Sequence, residues 1–241
     1  MQISNIKINK MKKNLLSIFT LISILILSCT DAPDSDKATT SDAKEVTSNS
    51  EGASFTVDTT SSKIEWVGTK VSGHHSGTVR IKSGELKVND NTITAGNFVM
   101  NMPSLVVSGP KGSDEKMNAK LLGHLKSPDF FEVEKYPDAT FVITSVKPFT
   151  GTVADSTDPR QEDISEYKVS NPTHTVSGNL TVKGITKNIE FPARITVSGN
   201  SVDALAKFNI DRSQWNIVYP GKPDDLIRNA IHLGIALKAA K

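Results

Sequence analysis

Long stretches of this chain alternate apolar and polar residues with a period of two, and each stretch has only one apolar face. Phe98, Met100 and Met102 alternate with Asn97, Val99 and Asn101, while Ile189, Phe191, Ala193, Ile195 and Val197 alternate with Glu190, Pro192, Arg194 and Thr196. The pattern recurs at Val202, Ala204, Ala206, Phe208 and Ile210 and at Ile231, Leu233, Ile235 and Leu237, with shorter versions at 64–66, 79–81, 86–88, 141–143 and 176–182. A period of two marks a β-strand with one wet face. Turn signals such as Asn89-Asp90-Asn91 and Ser198-Gly199-Asn200 separate the runs at hairpin spacing, which gives roughly eight or nine strands. One good helix is available to cover so many half-apolar strands, so either two sheets pack face to face or one sheet closes on itself. The 188 residues of 54–241 are enough for one core. Closure removes exposed edges and, at about eight strands, leaves room for side chains or one small ligand. Periodicity alone leaves sandwich and barrel both open.

The helix is expected over 113–125, with the Ser113 hydroxyl as its cap, Asp114 and Glu115 at the positive end of the dipole, and Met117, Leu121 and Leu125 on one face. Residues 125–141, LKSPDFFEVEKYPDATF, then feed a strand. Pro128 stops the helix, Phe130 and Phe131 form an apolar plug, and Pro137 imposes extended chain before Thr140, Phe141, Val142 and Ile143. Together with GNLTVKGITKNIEFPA at 178–193 and FNIDRSQWNI at 208–217, this block makes residues 55–239 resemble the YceI-like family, periplasmic proteins whose lipocalin-like barrel holds polyisoprenoid or other long-chain lipids.

The resemblance implies an all-β chain, a lipocalin-like antiparallel β-barrel of about eight strands with one short helix near a barrel mouth. It also implies an apolar tunnel lined by the inward strand faces. The positions that match are Phe98, Met100, Phe141, Ile143, Phe191, Ala204, Ala206 and Phe208 on strands, with Met117, Leu121, His124, Phe130 and Phe131 around the mouth. The implied ligand is a long apolar molecule, an isoprenoid lipid or quinone, that is bound, sequestered or carried. Each buried CH2 contributes roughly 0.8 kcal/mol, so such a chain is held without any ionic device. Two stretches depart from the family's pattern: an acidic insertion at 151–166 with Asp155, Asp158, Glu162, Asp163 and Glu166, and the loop at 220–225.

At the amino terminus, Met11, Lys12 and Lys13 precede the apolar run 15–27, whose thirteen residues fall short of the roughly 20 that span a bilayer. Residues 1–28 read as a signal peptide of the lipoprotein type, in which Met11 is a more usual start than Met1. The run ends Ile26-Leu27-Ser28-Cys29, which resembles a bacterial lipobox, and Cys29 is the chain's one cysteine. Lipidation of Cys29 is the expectation, with an ordinary secretory signal as the other reading. Residues 30–53 carry six acids and two lysines and almost no bulky apolar residue, so 29–53 reads as a lipidated cysteine followed by a disordered tether of about 25–30 Å reach. The expected place is the bacterial cell envelope, anchored in the outer membrane and facing the periplasm, with exposure at the cell surface and a homodimer left open.

The domain at 54–241 carries a net charge of about +2 with no basic run, which excludes a nucleic-acid footprint. No catalytic constellation, metal set or cofactor motif is visible: there is no G-x-S-x-G, no phosphate loop, and no second cysteine. His74 and His75 read as part of a solvated hairpin turn, His174 and His232 as exposed strand residues, and His124 as the one histidine close to a tunnel mouth, where it suits the helix C-terminus as well as a lipid head group. Asp211 and Arg212 read as an ion pair closing a barrel end beside Trp215, and Trp66 and Trp215 as packing residues. The chain reads as a binding protein and not an enzyme. A filled barrel that recruits a protein partner, and a lipid-modifying enzyme with an inward polar cluster, are the rival readings.

Overall fold

A computed structural model describes residues 32–46, 51–151 and 166–241. The signal, Cys29 and most of the acidic stretch 151–166 lie outside the described residues. Strands β1 (Thr39–Asp42), β2 (Ala53–Val57), β3 (Lys63–Lys70), β4 (Gly73–Asn89) and β5 (Thr92–Gly109) precede helix α1 (Glu115–Lys126). After it come β6 (Asp138–Pro148), β7 (His174–Val182), β8 (Ile185–Ser198), β9 (Ser201–Asp211), the short β10 (Gly221–Lys222) and β11 (Asp225–Ala240). Strands β3 to β9 each pair with the next in sequence, with α1 inserted in the connection between β5 and β6, and β11 pairs with both β9 and β3. The sheet is thereby closed into an eight-stranded antiparallel barrel. Strand β2 fills the space below β3, pairing with β4 on one side and β11 on the other.

The turns follow the sequence signals. Asp90 and Asn91 take φ of 48° and 61°, and Lys183 and Gly184 take 50° and 75°, the left-handed pair that a two-residue hairpin matching the strand twist requires. The runs 79–81 and 86–88 lie on one 17-residue strand, β4, whose ladder with β5 shifts register at four places. Such bulges bend the long β4–β5 pair around the barrel, and the polar break between the two runs is a bend and not a turn.

Helix α1 is capped by Asp114 and not Ser113: the Asp114 carboxylate accepts from the Met117 N–H at 2.9 Å. Its last carbonyls are met by Ser127, whose N–H and hydroxyl both donate to the His124 carbonyl. The helix crosses the end of the barrel where β3, β5, β7 and β9 finish, called here the upper end. At the lower end Phe55, Val57, Val88, Val202 and Ala239 are all buried and close the barrel with their own side chains.

The segment read as a free tether is partly folded onto the barrel. Strands β8 and β9 pair only from Ala193↔Ala206 down to Ser198↔Ser201. Above that rung they part, and residues 36–42 lie between them: β1 pairs antiparallel with β8 from Thr39↔Glu190 to Asp42↔Lys187, while Lys37 makes a parallel bridge to Asn209. The Asn209 N–H donates to the Asp36 carbonyl at 2.7 Å, its carbonyl accepts from the Ala38 N–H at 2.9 Å, and its side-chain amide donates to the Pro33 carbonyl at 2.9 Å. Farther along, the Asn179 side chain accepts from the Lys44 N–H at 3.0 Å and donates to the Lys44 carbonyl at 2.7 Å. Two asparagines thus supply the hydrogen bonds that a neighbouring strand would supply.

His232 supplies a second correction. His232 points outward, as its parity requires, yet it is only 4% exposed. Its ring bonds Asn209 Oδ1 through Nδ1 at 3.0 Å, and the edge of Tyr167 covers it at a centroid distance of 5.1 Å. The His174 ring is half-buried, with Nδ1 2.8 Å from the Thr173 hydroxyl.

Candidate functional site

Above the packed lower end the barrel encloses a cavity of about 580 Å³. Every strand residue named from the sequence lies on its wall: Phe98 and Met100 on β5, Phe141 and Ile143 on β6, Phe191 on β8, and Ala204, Ala206 and Phe208 on β9. Met117, Leu121 and His124 of α1, with Phe130 and Phe131, border the same space from above. The parity of the strands carried these placements, because a residue two positions from a wall residue faces the same way. Gly178 shows how closely the wall is fitted. A Cβ there would fall 2.3 Å from the Phe141 ring, which lies across β7 at that point.

The sequence reading omitted the β3–β4 side of the wall, where Trp66, Thr69 and His75 line the cavity. His74 and His75 belong to β4 and not to a turn; GHHSG carries turn residues, and what makes it a strand is the ladder His75↔Gly68 and Trp66↔Gly77. Gly77 permits this, since a Cβ there would stand 1.8 Å from the Val106 carbonyl oxygen and 2.8 Å from the Trp66 ring. Trp66 Nε1, Thr69 Oγ1 and His75 Nδ1 are buried without a hydrogen-bond partner among the described residues. Burial pushes the His75 imidazole below its usual pKa, the nearby Gly109 carbonyl opposing, so the ring is neutral at pH 7.

The upper rim is polar as well. Lys70, Lys120, Lys222 and Asp225 border the opening, so inward polar groups are present where strand parity predicts none: Lys70, Lys222 and Asp225 stand at strand ends, where the alternation stops, and Lys120 comes from α1. Hydrogen bonds from Lys70 and then from the Ser72 N–H lower the Asp225 pKa to about 2, so it stays a carboxylate. His124 sits edge-on to Phe130 and Tyr219, with centroids 5.0 and 4.6 Å away, and its Nε2 is 2.9 Å from Asp129 Oδ2.

The expected Asp211–Arg212 ion pair is not what closes this end. The Arg212 guanidinium donates to the carbonyls of Ile217 at 2.6 Å, Tyr219 at 2.8 Å and Arg228 at 3.1 Å, so a buried cation is solvated by backbone. Asp211 instead accepts from the N–H and hydroxyl of Ser213 and starts the 3-10 turn that buries Trp215, whose Nε1 donates to the Leu180 carbonyl at 3.1 Å. The arrangement is an apolar tube, plugged below and polar at its open end. That shape accepts a molecule with a long apolar body and one polar terminus.

The UPF0312 protein of Pseudomonas putida is 37% identical over 76 residues, which is 32% of this chain and 29% of that protein. The UPF0312 protein of Yersinia enterocolitica is 34% identical over 77 residues, with 32% and 29% covered. The aligned stretch thus spans 29% of the length of these curated relatives. Burkholderia cenocepacia BcnA superposes with a TM-score of 0.55 at 19% identity, over 76% of this chain and 99% of that one. A polyisoprenoid binding domain from Saccharophagus degradans implicated in plant cell wall breakdown superposes with a TM-score of 0.52 at 13% identity, over 77% and 97%. These two structures share the fold. The YceI-like domain matches residues 55–239, nearly the whole barrel, and the chain therefore belongs to the YceI-like family.

Proposed function

We propose that the barrel binds one long apolar lipid, an isoprenoid lipid or quinone, and carries or stores it in the bacterial cell envelope. The observation that supports this most is the cavity itself, about 580 Å³ walled by strand residues of one parity and open at one end. Ten buried methylenes contribute on the order of 8 kcal/mol, enough for tight binding before any polar contact is counted. A polyisoprenoid-binding domain on the same fold is consistent with that ligand class. The unpartnered Trp66, Thr69 and His75 atoms suit the polar end of the lipid. At the rim the Ser72 hydroxyl donates to Asp225 Oδ2 at 3.0 Å, but a carboxylate held at a pKa of about 2 is a weak base, which favours binding over catalysis. A completely filled barrel would leave no such cavity.

Anchoring through an acylated Cys29, in the outer membrane and facing the periplasm, belongs to the same proposal and is supported by the run 15–27 and Ser28-Cys29. Cys29→Ser should abolish acylation; unmodified Cys29 in mature wild-type protein would overturn the anchor. For the ligand, gently purified protein from its native host should release a long-chain lipid on organic extraction, and all-trans-retinol should quench tryptophan emission on titration. Protein that extracts empty and ignores retinol, polyprenyl alcohols and quinones would overturn lipid binding.

A further inference from the structure

Six large apolar side chains stand exposed among the described residues, and four of them gather around the open end of the barrel. Val71 follows β3, Met117 lies on α1 at the cavity rim, Val218 follows the 3-10 turn, and Leu226 opens β11; they are 38%, 62%, 60% and 46% exposed. The Val71 N–H donates to the Leu226 carbonyl, so two of these tips are held side by side. The lower end is different. Among the described residues there, the β2–β3, β4–β5 and β8–β9 turns carry Thr59, Thr60 and Ser61, Asp90 and Asn91, and Gly199 and Asn200, all exposed and none a large apolar residue, and the β6–β7 connection, described only in part, carries a half-buried Phe149.

Charge accompanies the apolar tips. Lys111, Lys116, Lys120 and Lys222 are exposed at the upper end, and Lys120 and Lys222 border the opening itself. Of the acids at this end, Asp114 is engaged as the helix cap, Asp225 by Lys70 and Ser72, Asp129 by His124, Glu132 by Lys135 and Asp211 by Ser213, which leaves Glu115, Glu134 and Asp224 against these four lysines. Isolated apolar tips around a mouth, with lysines between them, match the interface of an anionic bilayer: the tips enter the headgroup layer and the cations meet its charge.

We propose that the open end of the barrel is a docking face for an anionic lipid bilayer, which seats the cavity mouth against the membrane so that a lipid passes between them without crossing water. The purpose rests on the lipid-binding reading; the docking does not. The test uses the chain from residue 29 with Cys29→Ser, so that no acyl chain holds it, sedimented with phosphatidylcholine–phosphatidylglycerol vesicles and with pure phosphatidylcholine vesicles. The wild-type barrel should bind the mixed vesicles better, and the preference should fade with added salt. Val218→Asp with Leu226→Asp should weaken that binding by about tenfold or more, and Lys120→Glu with Lys222→Glu should erase the preference. Val46→Asp, an exposed apolar residue outside the cluster, should change nothing.

A second reading uses the chain's lack of any other cysteine. An environment-sensitive dye on Val218→Cys should shift to the blue on mixed vesicles, and the same dye on Val46→Cys should not. Failure of the wild type to bind vesicles, or equal binding by the Val218→Asp/Leu226→Asp variant, would overturn the docking face. Retinol titration of the same proteins separates the two ideas: docking without retinol uptake would uphold the face and sink the lipid cavity.

Discussion

The rings of Phe191 and Phe208 are stacked, with centroids 4.0 Å apart and planes 14° from parallel, just above the rung where β8 and β9 separate. They form the inner side of a wall whose outer side is the strap. Ala206, two residues before Phe208, is buried against the cavity and leaves room beside that stack. In a close-packed interior Ala206→Trp would cost about 1–3 kcal/mol. Beside an empty cavity the indole should enter the free space: retinol affinity should fall at least about tenfold while the melting temperature of the empty barrel moves little. A large drop in melting temperature with retinol binding retained would mean that this wall is ordinary core.

Thr69 gives a complementary test on the opposite wall. Its hydroxyl is buried and unpartnered in a residue only 3% exposed. Removing an unsatisfied polar atom while keeping the shape should relieve part of a desolvation cost of about 1–3 kcal/mol, so Thr69→Val should stabilise the empty barrel. The gain should shrink or reverse once a lipid with a hydrogen-bonding terminus is bound. Paired denaturation curves with and without retinol measure both.

His232 makes stability depend on pH. Burial, with a smaller contribution from Lys207, lowers its pKa to about 4 in the folded chain, against roughly 6.5 unfolded. Between those values the unfolded chain holds a proton that the folded chain refuses, so stability is complete above about 6.5 and is lost as pH falls towards 4. The most this one group can remove is about 3 kcal/mol. Urea titrations at a series of pH values should show the slope, and His232→Gln should flatten it.

Asn179 offers a test of the strap. Asn179→Ala removes both hydrogen bonds to Lys44 and the one accepted from Asn188 Nδ2, and leaves Asn188 bonded to Ser177 and Thr144 beneath it. The net cost should be about 1–2 kcal/mol, and it should appear locally. Amide exchange should quicken in residues 32–46 and along β8 at 187–190, with β4 and β5 unchanged; uniform quickening would mean that the strap is not a separate unit.

What the sequence showed clearly was everything governed by strand parity. Phe98, Phe141, Phe191 and Phe208 reach the cavity because a two-residue period leaves an inward residue no other face. Residues whose environment is set by distant chain were not legible. GHHSG has the composition of a turn, and its strand state depends on pairing with β3. His232 has the parity of an exposed residue, and its burial depends on Tyr167, whose ring a distant part of the chain lays against it. The strap itself has the composition of a disordered linker, because its attachments are backbone hydrogen bonds, which side-chain composition does not report. Asn209 and Asn179 look like ordinary polar strand residues until the segment they hold is in place.

The strap changes how a load would reach the barrel. A coil running freely up to β2 would let the barrel swing at the end of a leash, and a pull would arrive at residue 53. With Pro33, Asp36 and Ala38 all bonded to Asn209, tension from upstream is delivered to the side wall first. Three residues separate position 29 from Pro33, a span of at most about 14 Å. A barrel hitched in this way pivots about a point on its flank, and a hold on the chain at position 29, as proposed, would keep it close.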